Sequence, residues 1–228
     1  MSIKEKRRIY KLLESPDIEG VISELRRLPA SRSINPLIGA LCSNNETVRW
    51  HAITALGPVV ADLADHDMEA ARVVMRRFMW SLNDESGGIG WGAPEAMGEI
   101  MACHKSLAQE YGHMLVAYMR EDGFFLELEQ LQQGLMWGLG RLALVNPDLL
   151  NAKNCTTYLR PYLTSADPTV RGRAAWTLGF LRTKEVAEDL AKLVNDPNEV
   201  KIYLNRTMTS DTVGGLAHKA LANIAKES

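Results

Sequence analysis

A dipeptide recurs along the chain at nearly constant spacing. Leu56-Gly57, Met97-Gly98, Leu139-Gly140 and Leu178-Gly179 are followed by a degenerate Leu221-Ala222, with second residues 41, 42, 39 and 43 positions apart. Nine positions before each stand Val48, Ile89, Leu131, Val170 and Val213, and five before stand Ala52, Ala93, Leu135, Ala174 and Ala217. Apolar residues at −9, −5 and −1 share one face of a helix with 3.6 residues per turn. A unit of this size cannot bury such a face by itself and must stack against its neighbours, so the repeat predicts an all-α solenoid rather than a single central core.

The segments ahead of these helices are also amphipathic. Asp67 to Leu82 carries Met68, Ala71, Val74, Met75, Phe78 and Met79 on one stripe, which predicts two helices per unit. Trp80 on that helix is assigned to core or convex packing. Ser43-Asn44-Asn45, Asn83-Asp84-Glu85-Ser86 and Ser165-Ala166-Asp167-Pro168 read as turns whose short polar side chains cap the next helix. Pro147, Pro168 and Pro197 fall at element boundaries, where a missing amide donor costs least. Residues 1–32 read as two charged capping helices, Lys4–Glu14 and Pro16–Leu28 with Ser15 capping the second, and 33–228 as one repeat array. Pro197 to Ser210 reads as a loop inserted in the last repeat. No segment alternates with period two for long enough to argue for a sheet.

Charge narrows the functions. With 26 Lys+Arg against 28 Asp+Glu, the net charge of −2 lacks the basic footprint of a general nucleic-acid or membrane-surface binder. Met1 to Arg8 is charged, without an apolar signal core, and no run of about 18 apolar residues occurs. Cys42, Cys103 and Cys155 are odd in number and lack a Cys-x-x-Cys pair, which fits reduced thiols. The sequence therefore predicts a soluble cytoplasmic protein with no membrane partner.

The pattern Asp167-Pro168-x-Val170-Arg171-x-x-Ala174-Ala175-x-x-Leu178-Gly179 resembles a HEAT-like repeat of the kind found in phycobilin lyases and many other bacterial proteins. The resemblance covers most of the chain from about residue 34. It implies a right-handed superhelix of about five two-helix repeats behind the N-terminal cap. Asn83 to Glu95, with Gly87-Gly88-Ile89-Gly90-Trp91-Gly92-Ala93-Pro94 at its centre, is similar to a bacterial group of HEAT-repeat proteins. That second resemblance implies no particular activity.

On the second helices, positions −7 and −3 lie opposite the buried face, and the family geometry would place them on the concave surface. They hold Trp50 and Thr54, Trp91 and Glu95, Gln133 and Trp137, Gly172 and Trp176, and Gly215 and Lys219. Four of the five tryptophans share this column. Gly57, Gly98, Gly140 and Gly179 would leave an open trough beside them. One reading is an aromatic-walled groove that stacks a flat ligand or anchors a protein segment. The other is that the rings fill space between adjacent second helices and the glycines allow close contact.

Few polar groups flank the column. Glu95, beside Trp91, is the main candidate for a ligand contact. Arg141 stands four residues after Trp137, within reach of a cation–π contact worth about 0.5–1 kcal/mol, or it pairs with Glu99 of the preceding repeat. Gly87, Gly88 and Gly90 could present backbone N–H groups to an anion. No strand precedes them and no Gly-Lys-Ser/Thr follows, so neither a dinucleotide turn nor a P-loop is supported. Pro94 predicts a delayed or distorted helix start around residues 88 to 94.

Catalytic signatures are missing. The chain has no His-Glu-x-x-His, no Gly-x-Ser-x-Gly, no zinc-spaced Cys and His, and none of the His-Glu pairs of the iron-dependent HEAT-repeat hydroxylase that acts on deoxyhypusine. His104 beside Cys103 reads as a helix-end neighbour. The expectation is a non-enzymatic scaffold that binds a protein segment, or a flat small molecule, through Trp50, Trp91, Glu95, Gln133, Trp137, Arg141 and Trp176, with no cofactor or metal. A bilin-lyase-like or other ligand-handling enzyme subunit is the first alternative. A HEAT-like DNA glycosylase for alkylated bases is the second; Trp91 with Glu95 suits its ingredients and the charge balance disfavours it.

Overall fold

The computed structural model describes residues 3–83 and 90–226. The chain forms two compact units, Met1–Leu107 and Ala108–Ser228. The first contains α1 (Ile3–Leu13), α2 (Ile18–Arg26), α3 (Ala30–Ala40), α4 (Glu46–His66), α5 (Met68–Asn83) and α6 (Ala93–Cys103). α7 (Lys105–Ala117) leads into the second, which holds α8 (Glu129–Val145), α9 (Pro147–Asn151), α10 (Cys155–Leu159) and α11 (Pro168–Leu181). α12 (Ala187–Ala191), β1 (Glu199–Leu204), β2 (Thr207–Thr212) and α13 (Val213–Ala225) complete it, and 3-10 turns occupy Arg160–Thr164 and Lys184–Val186.

The repeating helices are α4, α6, α8, α11 and α13, and among the described residues, which leave out Ile89, the buried face read from the repeat is the buried face of the fold. Val48, Ala52, Leu56, Ala93, Met97, Leu135, Leu139, Val170, Ala174, Leu178, Val213 and Ala217 are all buried. Leu131 and Leu221 lie at the margins and are half-buried. Within the first unit α4 packs on α3, α5 and α6; within the second α11 packs on α8 and α13. This is the α-solenoid arrangement that the 40-residue period requires.

Helix starts follow the cap chemistry. The Asn45 side chain accepts from the N–H groups of Thr47 (3.0 Å) and Val48 (3.3 Å). The Asp167 side chain does the same for Thr169 (2.7 Å) and Val170 (3.1 Å). In both turns a serine two residues earlier, Ser43 or Ser165, accepts from the N–H of the capping residue, so one sequence pattern closes two helix starts. At the N-terminus the cap differs from the expected one. α2 begins at Ile18, Asp17 caps it by accepting from Gly20 N–H at 3.0 Å, and Ser15 instead accepts from Asp17 N–H. His51, buried on α4, bonds through Nδ1 to Leu13 O at 2.8 Å and so ties α1 to the array.

The insertion in the last repeat is a β-hairpin, not a loop, and corrects the reading that no segment forms a sheet. β1 and β2 pair antiparallel from Glu199↔Thr212 to Leu204↔Thr207. Asn205 (φ 48°) and Arg206 (φ 63°) both take left-handed backbone in the two-residue connection, which is the turn whose twist matches the paired strands. Val200 and Ile202 alternate inward and are fully buried, each contributing about 1.5–3 kcal/mol of apolar burial.

Candidate functional site

In the second unit the hairpin lies on the face of α8 and α11 that the repeat register had turned toward a groove. Trp137 on α8 donates its indole N–H to the main-chain carbonyl of Tyr203 at 2.8 Å. Arg173 on α11 donates from Nη2 to the carbonyl of Lys201 at 2.8 Å and from Nη1 to Gln133 O at 3.0 Å. Two donors from successive second helices thus hold alternate carbonyls of one extended strand. Trp137 is 3% exposed, and the Tyr203 ring covers it with centroids 6.4 Å apart. Gly172 lies under the strand, since a side chain there would meet Val200 Cγ2 at 2.8 Å. Arg173 was not singled out from the sequence. A buried arginine inside an apolar helix face is the signal that could have found it, because such a charge requires acceptors.

Gln133 is also committed to the framework: its side-chain amide donates to Asp167 Oδ2 at 2.6 Å, the second oxygen of the α11 cap. Trp176 is 8% exposed. A methyl added to Gly140 would fall within the Trp176 ring, so that glycine is the space the indole fills. The Phe180 edge meets the same ring at 5.2 Å and 87°. Arg141 is half-buried on α8.

The first unit contrasts with this. Trp50 on α4 is 4% exposed, whereas Trp91 is 40% exposed. The register had placed Trp91 inside a helix, but α6 begins only at Ala93, so Trp91 lies in the turn before it. Gly92 caps α6 with φ 76°, and a side chain there would press on Leu41 Cβ at 2.9 Å. That left-handed step, with Pro94 in the first turn, delays the helix as the proline predicted and swings the indole outward. Glu95 follows in the first turn of α6 and is half-buried. Glu99 is buried, with Cys103 Sγ donating to its Oε1 at 3.7 Å. Glu99 belongs to the first unit and Arg141 to the second.

Gly87 and Gly88 lie outside the described residues. Gly90 is buried against Leu82 and Ser81 O. Trp80 is 76% exposed on α5 and is not part of the core, because it points off the stripe set by Val74 and Phe78. The arginines of α5 are engaged: Arg76 pairs with Glu69 at 2.6 Å, Arg72 with Glu69 at 3.5 Å, and Arg77 donates to Asn35 Oδ1 at 2.7 Å. His104 ends α6, accepts from Leu107 N–H and faces Asp65 at 3.4 Å. Among the described residues no three His, Cys, Asp or Glu side chains are grouped to hold a metal ion, and no helix is long and apolar enough to cross a membrane. A cleft of about 580 Å³, which the sequence did not suggest, opens beside Met119, Phe125, Tyr158 and Tyr162. Burial and the nearby Glu121 charge push the Tyr162 phenol up to about 12.

Residues 129–181 match the HEAT-like repeat family, and residues 170–196 match the PBS lyase HEAT-like repeat. No curated protein matches the chain as a relative. Among solved structures, an engineered protein is similar over 99% of this chain and 98% of its own, at 20% identity and a TM-score of 0.56. A designed armadillo repeat protein is similar over 95% of this chain and 98% of its own, at 20% identity and a TM-score of 0.53. Another, solved in complex with the peptide (KR)4, covers the same shares at 17% identity and a TM-score of 0.53. At such identities the likeness concerns the fold.

Proposed function

We propose that this chain, a HEAT-like repeat protein, is a non-enzymatic scaffold that holds an extended segment of another protein beside its second helices. One observation carries the reading: Trp137 and Arg173 grip alternate carbonyls of β1. Side chains on these helices therefore offer donors at the spacing of an extended backbone, where every second carbonyl points the same way. In the second unit the chain's own hairpin takes that place. In the first unit the exposed Trp91 ring and the Glu95 carboxylate are the contacts for a partner. A rigid aromatic surface with an acid four residues further on suits a segment that brings an aliphatic or basic side chain. The designed armadillo repeat protein seen with (KR)4 shares the fold and supports this choice of partner.

A flat small molecule remains the other ligand for this site. It would stack on Trp91, because Trp50, Trp137 and Trp176 are buried. Selection of a displayed library of twelve-residue peptides against the purified chain tests the proposal. Enriched sequences should bind the parent and the Trp80→Phe chain equally, and lose at least tenfold in affinity with Trp91→Ala or Glu95→Gln. Absence of any enriched sequence that weakens with these substitutions overturns the assignment. Titration with a tetrapyrrole or alkylated duplex DNA distinguishes the two enzymatic alternatives, neither of which should change tryptophan emission.

A further inference from the structure

We infer that the outer edge of β2 is a strand-addition site for a short extended segment of another protein. This surface lies in the second unit, uses main-chain recognition, and is independent of the reading made for Trp91 and Glu95. In an antiparallel pair, residues alternate between those that exchange bonds with the partner strand and those whose N–H and C=O face away. The carbonyls of Lys201 and Tyr203 face away from β2, since Arg173 and Trp137 take them. Their register partners are Ser210 and Met208, whose backbone groups must then face away from β1. The two-residue connection after Leu204 agrees, because it makes Leu204↔Thr207 a bonded pair and Tyr203↔Met208 a non-bonded one.

The two edges of the hairpin are treated differently. β1 lies against α11, and the outward carbonyls of Lys201 and Tyr203 are satisfied. Among the described residues, no partner is found for the outward N–H and C=O of Met208 and Ser210. β2 carries none of the usual guards of an open edge: it has no proline, no lysine and no bulge. Thr207, Thr209 and Ser210 are exposed, and Asp211 is paired with Lys219 at 2.6 Å, so no free charge on the strand repels an incoming backbone. Cross-strand neighbours of this kind favour Thr, Val and other β-branched residues in the partner. The edge spans about 20 Å at about 3.3 Å per residue. A stable dimer buries about 800 Å² on each side, more than one short edge provides, which selects a short segment over a second copy of the chain.

The test uses a fluorescein-labelled, acetylated peptide, Glu-Glu-Thr-Val-Thr-Val-Thr-Val, with anisotropy as readout and amide hydrogen exchange over residues 207–212. The parent should bind it saturably, and exchange of this segment should slow. Ser210→Pro removes one outward donor while leaving the bonds to β1, and it should weaken binding at least tenfold; Trp80→Phe, remote from the strand in sequence and given no binding role, should change it less than twofold. The same peptide N-methylated at alternate residues leaves the protein untouched and should also bind at least tenfold more weakly. Absence of saturable binding, equal affinity for the N-methylated peptide, or protection that is already present in the free chain and rises with its concentration overturns the proposal; the last outcome assigns the edge to a second copy.

Discussion

The indole N–H of Trp137 bonds to the main-chain carbonyl of Tyr203 at 2.8 Å, across 66 residues of sequence. This bond and the Arg173 contact to Lys201 fasten the inserted hairpin to the repeat helices. Trp137→Phe keeps one six-membered aromatic ring but removes the pyrrole ring with its donor, leaving a buried carbonyl with one partner fewer. The expected loss is about 1–2 kcal/mol in chemical denaturation, with faster proteolytic cleavage at Asn205-Arg206. Unchanged cleavage would mean that the Trp137 bond does not hold the hairpin in place.

Gly140 reverses the usual helix-propensity argument. Replacing a mid-helix glycine by alanine ordinarily stabilises a helix by about 1 kcal/mol. Here the added methyl would enter the Trp176 ring, so Gly140→Ala should destabilise by about 1–3 kcal/mol through overpacking. Gly140→Ala combined with Trp176→Leu should recover part of that loss, which a double-mutant cycle in urea measures.

Much of the fold is legible in the sequence because the period reports stacking directly. Val170, Ala174 and Leu178 are fully buried, and Asp167 caps α11 as its place before Pro168 suggests. The hairpin was missed because β1 is short and its turn, Asn205-Arg206, lacks the glycine that usually marks a two-residue connection. Val200, Ile202 and the threonines at 207 and 209 were the signal available. The tryptophan column was only partly legible. Periodicity gives the angle of a residue on its helix, but whether that angle meets solvent depends on distant chain. The hairpin buries Trp137, and Gly140 receives Trp176. Trp91 escapes the helix altogether because α6 starts late.

The three thiols should divide two to one. Cys42 and Cys103 are exposed, whereas Cys155 is buried and burial pushes its thiol up to about 12. An aromatic disulfide reagent at pH 8 should titrate two thiols in the native chain and the third only in denaturant. Rapid modification of all three would contradict the packing around α10.

Asp196 links the loop before β1 to α11 through Arg171, at 2.8 Å. The Arg171 hydrogen bond, with further bonds from Asn198, lowers its carboxyl from 3.8 to about 2. The folded state therefore binds this proton less readily than the unfolded one. The stabilisation is complete above about pH 4 and is lost as pH falls through about 2. Asp196→Asn should cost about 1–2 kcal/mol at neutral pH, and its deficit against the parent should shrink between pH 4 and pH 2. A deficit that stays constant over that range would assign the effect to something other than the ion pair.

Trp91 is the ring that the proposed function assigns to a partner. Tryptophan emission of the Trp80→Phe chain tests it most directly, because Trp91 is then the one exposed indole among rings that are otherwise at most 8% exposed. Adding a peptide selected on the parent chain should shift the red component of the emission to the blue, and the further substitution Trp91→Phe should abolish both the red component and its shift. An emission spectrum that the bound peptide leaves unchanged, or a shift that persists without Trp91, would contradict the account.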